Sequence, residues 1–331
     1  MSLPPGIGAQ QSLALSLFER SLEQLRQESG IPGLSAVIVQ NRRVVWERGF
    51  GMADLERAVH ATPNTPYPVG DLTQTFAATL VLQRVERGDI ELTDRMQRWT
   101  TLIPEPSATV EQVLRHTSTG TFGYEPQRFA EFTPILEYYT KVPFKKILAA
   151  EVLERLAMHD SVPGHDMEAP SPLEVPFFDQ SVLDRYAAVV QQLAVPYRVD
   201  MRRRATRSEY PHRSITAGTG LISSARDLAR FDAAIDDDIL VDRLTTEASR
   251  QPAGGRTGLG WFVQQYNNDL LVWHFGNSPN AFSSLMLKVP TRDLTLILIA
   301  NSDGLSAPFD LERGDVTASL FARLFLRAFV L

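Results

Sequence analysis

Strand-like stretches sit at both ends of this chain with helices between them, and that arrangement restricts the folds open to it. Leu34-Ser-Ala-Val-Ile-Val-Gln40 is rich in β-branched residues. A polar break at Asn41-Arg42 separates it from Arg43-Val-Val-Trp-Glu-Arg-Gly-Phe50, so the pair reads as a hairpin. Near the other end, Gly258–Val263, Leu270–His274, Phe282–Val289 and Leu294–Ala300 read as four more strands, joined by short polar turns. Between these groups the apolar residues recur at helical spacing over Asp71–Gly88, Val110–Leu114, Phe144–Met158, Ser181–Leu193 and Ala225–Ala234. Further helices are expected at Leu13–Gln27 and Val316–Phe329, and Pro196–Arg213 reads as loop. The economical solution is an α/β (α+β) fold. One antiparallel sheet takes strands from both ends of the chain, helices flank it, and a mostly helical domain is inserted between.

Composition removes several kinds of function. The chain has no cysteine, which excludes thiol nucleophiles, disulfides and thiolate metal sites. Its formal net charge is −6 and its arginines are dispersed, so no nucleic-acid partner is expected. No uncharged apolar run approaches the roughly 20 residues of a membrane helix. The N-terminus lacks the pattern of a signal peptide, which fits a cytoplasmic chain or a secreted one whose leader has been removed. No cofactor or metal is expected. His159, Asp160, His165, Asp166 and Glu168 cluster in sequence, but in a Pro/Gly loop with no spacing that would converge ligands.

Five segments, in order, carry a resemblance. They are Thr65-Pro-Tyr-Pro-Val-Gly-Asp-Leu-Thr-Gln-Thr-Phe76 with the helix after it; Leu114-Arg-His-Thr-Ser118; Gly218–Phe231; Gly258-Leu-Gly-Trp261; and His274-Phe-Gly276 with Phe282-Ser-Ser284. Together they resemble the serine β-lactamase and penicillin-binding-protein superfamily, over roughly residues 15 to 330. Class C β-lactamases, related esterases and D-alanyl-D-alanine peptidases belong to it. The resemblance implies a sheet domain from residues 1–66 and 207–331, a helical domain at 67–206, and a cleft between them. That cleft would hold Asp71, Gln74, Phe178, Gln180, His274, Gly276 and Asn277.

The chemistry of that family does not carry over intact. Its members use a Ser-x-x-Lys at the start of the long helix as nucleophile and base. Here those positions are Asp71 and Gln74, and none of the four lysines (Lys141, Lys145, Lys146, Lys288) has a serine three residues before it. The family's Tyr-x-Asn aligns with Phe178-Asp-Gln180, which has no phenol to accept a proton. If that alignment slips, Tyr124, Tyr186 or Tyr210 is left to supply one. The third motif survives as His274-Phe275-Gly276. By carry-over the oxyanion donors are the N–H groups of Asp71 and Asn277.

Each candidate has a structural reading beside the functional one. Asp-x-x-Gln at a helix start is a capping box, in which Asp71 accepts the N–H of Gln74 and Gln74 reaches back. This is the expected role of the pair, worth about 1 kcal/mol. The functional reading makes Asp71 and His274 an acid/base pair. His116 reads as a turn residue. Ser118, Ser181, Ser278 and Ser284 sit in no nucleophile–base motif. The expectation is therefore a family member without serine acyl transfer, a pseudoenzyme whose cleft binds a small-molecule or peptide ligand. The alternative is an enzyme of non-acyl chemistry (isomerisation, elimination or cyclisation), or of non-covalent ester or amide hydrolysis, through Asp71 and His274.

Overall fold

In the strand Gly33–Gln40, Leu34, Ala36 and Ile38 enter one apolar cluster while Val37 and Val39 enter another. Both faces of the sheet are therefore covered, which is why this segment reads as a nearly continuous apolar run. The computed structural model describes residues 9–166, 178–211, 214–252 and 256–331. The chain opens with α1 (Ala9–Glu28), β1 (Gly33–Gln40) and β2 (Arg43–Asp54), then the short β3 (Val59–His60) and β4 (Tyr67–Pro68). A single 3-10 turn, Gly70–Leu72, leads into α2 (Thr73–Glu86). The helical middle holds α3 (Val110–Leu114), α4 (Pro126–Phe129), α5 (Phe132–Thr140), α6 (Phe144–Leu148) with a π-helical continuation at Ala149–Glu154, and α7 (Gln180–Gln191). A small ribbon of β5 (Tyr197–Val199) and β6 (Ala205–Arg207) follows, then β7 (Ile222–Ser223), α8 (Ala225–Asp236) and α9 (Arg243–Ser249). The C-terminal part is β8 (Phe262–Tyr266), β9 (Asp269–Ser278), β10 (Phe282–Val289), β11 (Leu294–Ala300) and α10 (Leu320–Phe329).

The main sheet has the order β3-β2-β1-β11-β10-β9-β8, and its pairings are antiparallel. The first and last strand groups meet at β1 and β11, in register from Leu34↔Ala300 to Gln40↔Leu294. On one face, α1 and α10 bury Phe18, Leu22, Phe321 and Phe325 against Leu285, Leu287, Leu296 and Leu298. On the other, α8 packs over β1 and β11, and α2 packs behind it. Phe76 of α2 stacks on Phe231 of α8 with ring centroids 3.8 Å apart, tying the helical middle to the sheet. Among the described residues no helix is long and apolar enough to cross a membrane.

Two expectations about elements need correction. Gly258–Trp261 is a turn and not the start of a strand, because its backbone bonds go elsewhere. The Gly258 N–H bonds Trp261 O, that of Leu259 bonds Ser249 O, and that of Gly260 bonds Leu114 O at the end of α3. The segment Pro196–Arg213, expected as loop, contains the β5–β6 ribbon.

Candidate active site

The turn that carries Asp71 is held from three sides. Tyr67 and Pro68 pair with Ser223 and Ile222, and the Val69 N–H bonds Leu221 O. Thr73 Oγ1 donates to Gly70 O at 2.7 Å and accepts from the Leu221 N–H at 3.2 Å. Ser284 Oγ, from β10, donates to Val69 O at 2.8 Å. The third side is β9. Its last pair with β8 is Phe262↔Trp273, so the edge from His274 to Ser278 has no β8 partner, and the turn packs there. Two glycines make the approach possible. A Cβ on Gly70, whose φ is +60°, would sit 3.0 Å from Asn277 N, and one on Gly276 would sit 1.9 Å from Val69 O. Backbone at residues 70–71 and at Asn277 is thereby brought together, where the family resemblance puts the oxyanion donors.

Asp71 does not cap α2. The helix begins at Thr73, its N-cap is Leu72, and neither it nor the preceding turn has a side-chain cap bond. The 3-10 turn already uses the Thr73 N–H, which bonds Gly70 O and Asp71 O. Residue 71 therefore lies inside the turn and its carboxyl is free to point elsewhere. The expected capping box is overturned.

The phenol of Tyr124 acts on the carboxyl instead and lowers its proton affinity. Tyr124 follows the turn after α3, where His116 has φ +53° and its carbonyl accepts the Gly123 N–H. The Tyr124 ring lies between His116 (centroids 4.8 Å apart), Phe275 (5.3 Å) and Phe262 (5.6 Å). Its hydroxyl is 3.2 Å from Gln74 Nε2. A phenol has one proton, and a carboxylate can only accept. The Gln74 amide nitrogen donates to the phenol, and Gln74 Oε1 is buried and without a partner among the described residues.

Burial governs the protonation states. It pushes the Asp71 carboxyl up to about 7; the Tyr124 phenol pulls the other way, and the charge of Glu312 pushes further up. Among the described residues no cationic side chain acts on Asp71. The Tyr124 phenol is raised well above its ordinary value by burial and by the charge of Asp71. Burial lowers His274 to about 4, against a hydrogen bond to the Phe275 carbonyl, and lowers His116 to about 3, with His274 adding to the effect. Both imidazoles are neutral at pH 7. Since the Phe275 carbonyl can only accept, His274 Nδ1 carries the proton in their 2.8 Å contact, and its Nε2 is a bare acceptor.

The structure assembles Asp71, Gln74, Gly276 and Asn277, with His274 on the same stretch of β9. Phe178 and Gln180 make their contacts elsewhere. Phe178 packs edge-on against Tyr186 at 5.5 Å, and exposed Gln180 donates to Asp184 within α7. Tyr210 donates to Ala194 O, so of the three tyrosines considered, Tyr124 is the one at Asp71. Ser118 Oγ receives Arg128, and Ser284 Oγ is committed to Val69 O. In the loop of acids and histidines, His159 meets Arg185 and Asp160 accepts from Asn64, while Glu168 lies outside the described residues. Sequence reasoning passed over Glu312 and gave Tyr124 no more weight than its alternatives. Neither residue lies near residue 71 in sequence, and neither belongs to a motif.

The order of these elements and the packing of the turn against β9 find their match in a known family. A family model described as Beta-lactamase matches residues 18–318. The chain belongs to the β-lactamase family. Among curated relatives, the putative penicillin-binding protein PbpX of Bacillus subtilis (strain 168) is 23% identical over 291 residues, 78% of this chain and 68% of that protein. Protein flp of Staphylococcus aureus (strain N315) is 27% identical over 107 residues, and the match spans 30% of this chain but 22% of the relative's own length. Of solved structures, the octameric penicillin-binding protein homologue from Pyrococcus abyssi superposes with a TM-score of 0.77 at 21% identity, covering 95% of this chain and 77% of that one. The D-amino acid amidase from Ochrobactrum anthropi SV3, complexed with D-phenylalanine, gives 0.73 at 17% identity, covering 96% and 99%. At these identities the superpositions establish the β-lactamase fold and nothing finer.

Proposed function

We propose that this β-lactamase family member has given up serine acyl transfer and uses its cleft to bind a small-molecule or peptide ligand, with Asp71 as the polar anchor. The cleft runs between the sheet unit (residues 1–66 and 207–331) and the helical unit (67–206). The observation that carries the reading is the identity of residues 71 and 74: a carboxyl in the nucleophile's place and an amide in place of the lysine. A carboxylate that attacked an acyl group would give an anhydride, and the family's lysine base is replaced by Gln74. Its charge also opposes an incoming oxyanion that the backbone donors would otherwise hold.

One observation favours a second reading. A carboxyl pushed up to about 7 by burial is suited to give and take a proton near neutral pH. On that reading the cleft runs non-acyl chemistry or water-mediated hydrolysis, with Asp71 and Tyr124 in the proton path and His274 a neutral acceptor beside them. Intact-protein mass after incubation with a reactive β-lactam and with an activated ester, with product followed in parallel, separates the possibilities. Neither adduct nor turnover is the result expected for a binding protein. Turnover without an adduct, lost in Asp71→Asn and in Tyr124→Phe, would establish the second reading. A stable adduct would overturn both.

A further inference from the structure

The β5–β6 ribbon gathers positive charge in a chain that is otherwise acidic. From Tyr197 to Arg207 it carries five arginines and a single acid, Asp200, while the formal net charge of the whole chain is −6. We infer that the turn of this ribbon docks on an anionic lipid bilayer, with its guanidinium groups on the lipid phosphates and Met201 entering the interface. What the cleft binds does not bear on this surface. The turn is a fixed structure. Asp200 Oδ1 accepts the N–H groups of Arg202 at 2.8 Å and Arg204 at 2.9 Å, and Oδ2 takes Arg204 Nε and Nη2 at 2.9 and 2.8 Å. The Arg203 N–H closes onto Asp200 O at 2.8 Å. At the root of the ribbon, buried Tyr197 accepts the Leu55 N–H on its hydroxyl, and its own N–H bonds Asn301 O. Pairing of Tyr197 with Arg207 and Arg198 with Thr206 sets the two strands in register. A turn ordered in this way loses little further freedom when a surface meets it.

The charges left over decide the partner. The one acid of the ribbon is consumed inside the turn, by two backbone donors and Arg204. Arg198, Arg202 and Arg203 are exposed and have no acidic partner among the described residues. Arg207 meets Glu56 at 3.0 Å, but both side chains are more than half exposed, so that pair is weak and open to exchange with another anion. Guanidinium groups match phosphate oxygens with paired, parallel hydrogen bonds. Between these cations Met201 is 104% exposed, with its apolar side chain wholly in solvent. Cations beside an exposed apolar side chain suit the two layers of a bilayer surface, phosphates outside and the acyl boundary beneath. A nucleic acid offers the same phosphates. Single strands, however, are held by stacking on aromatic rings, and the ribbon's one aromatic residue, Tyr197, is buried. Met201 has no counterpart on a phosphate backbone.

The test uses the full chain at low ionic strength and sedimentation with vesicles, either phosphatidylcholine alone or phosphatidylcholine mixed equally with phosphatidylglycerol. The protein is expected to sediment with the mixed vesicles and to stay in solution with the neutral ones. Arg202→Gln and Arg203→Gln should each weaken partitioning about fivefold, with the fold checked by circular dichroism. Added salt should weaken it too, because screening shortens the reach of the surface charge. The chain has no cysteine, so Met201→Cys gives a unique attachment point for an environment-sensitive dye. Its emission should shift to the blue on the mixed vesicles. Equal binding to both kinds of vesicle, no binding to the mixed ones, binding unchanged when both arginines are replaced, or an unshifted dye on the bound protein would overturn the inference. Tighter binding to a DNA duplex, lost with the same substitutions, would overturn it in favour of a nucleic-acid contact. The proposed function of the cleft stands apart from all of these results, since it falls on the covalent adduct and turnover measurements.

Discussion

Asp232 is a buried carboxylate and Asp71 a half-buried one, and the molecule treats them in opposite ways. Asp232, on α8 beneath the sheet, takes Lys288 Nζ at 2.5 Å and Thr295 Oγ1 at 3.2 Å, and Lys288 also reaches Asp236 at 2.9 Å. Arg250 closes the group on Asp236 at 2.5 Å. Burial pushes the Asp232 carboxyl up against the pull of Lys288. It also acts to raise Asp236, but there Lys288 and Arg250 win and hold the carboxyl below its ordinary range. Every charge in that group has a charged partner. Asp71 has no oppositely charged partner among the described residues, and the neutral Tyr124 phenol and the charge of Glu312 act on it. A closed network of paired charges has nothing left to offer a ligand, whereas a carboxyl without a counter-charge does. The contrast separates a carboxylate locked into an ion-pair network from one without a charged partner of opposite sign.

Removing the cation from the closed network should have the largest effect. Lys288→Met leaves two acids in the interior without their shared partner, and a loss of about 3–5 kcal/mol in denaturant unfolding is expected. A loss below about 1 kcal/mol would mean that the network is not closed in solution.

The open site should show itself in pH dependence. The folded Asp71 value of about 7 lies above its ordinary 3.8, so the folded state holds that proton more tightly than the unfolded chain does. Its contribution to stability is fully present below the unfolded value and is lost as pH rises through the folded one. Asp71→Asn, which mimics the protonated acid, should therefore be more stable than the parent above neutral pH. The gain should be on the order of 1–3 kcal/mol after allowing for the contact of Asp71 with solvent. Stability curves for the two proteins that stay parallel across that range would place Asp71 among ordinary surface acids.

The smallest effect expected is that of Tyr124→Phe, about 1 kcal/mol of stability for the lost hydrogen bond from Gln74. Because the phenol favours the ionised carboxyl, its removal should move the Asp71 titration to higher pH. An unmoved midpoint would break the assigned pair.

Much of the fold was readable because alternation and turn chemistry are local. The ranges for β10 and β11 coincide with the apolar runs Phe282–Val289 and Leu294–Ala300, and α3 with Val110–Leu114. The Gly258–Trp261 turn was misread because its donors are taken by Ser249 and Leu114, which no local pattern reveals. The site divided in the same way. Asp71, Gln74 and the His274-Phe275-Gly276 strand could be aligned from motifs, whereas Phe178 and Gln180, aligned by position, make their contacts around α7.

What the sequence determined by itself is which chemical groups are present and which are missing. The absence of Ser-x-x-Lys and of cysteine, and a carboxyl at residue 71, are facts of covalent structure that no folding can alter. The periodicities that bury both faces of the sheet are equally written in the chain. What only the tertiary structure decided is the state of those groups. Tyr124 is 53 residues beyond Asp71, and Glu312 lies near the other end of the chain. Their effect on the carboxyl, like the burial that sets its proton affinity, depends on separation in space, which the chain specifies only once it has folded.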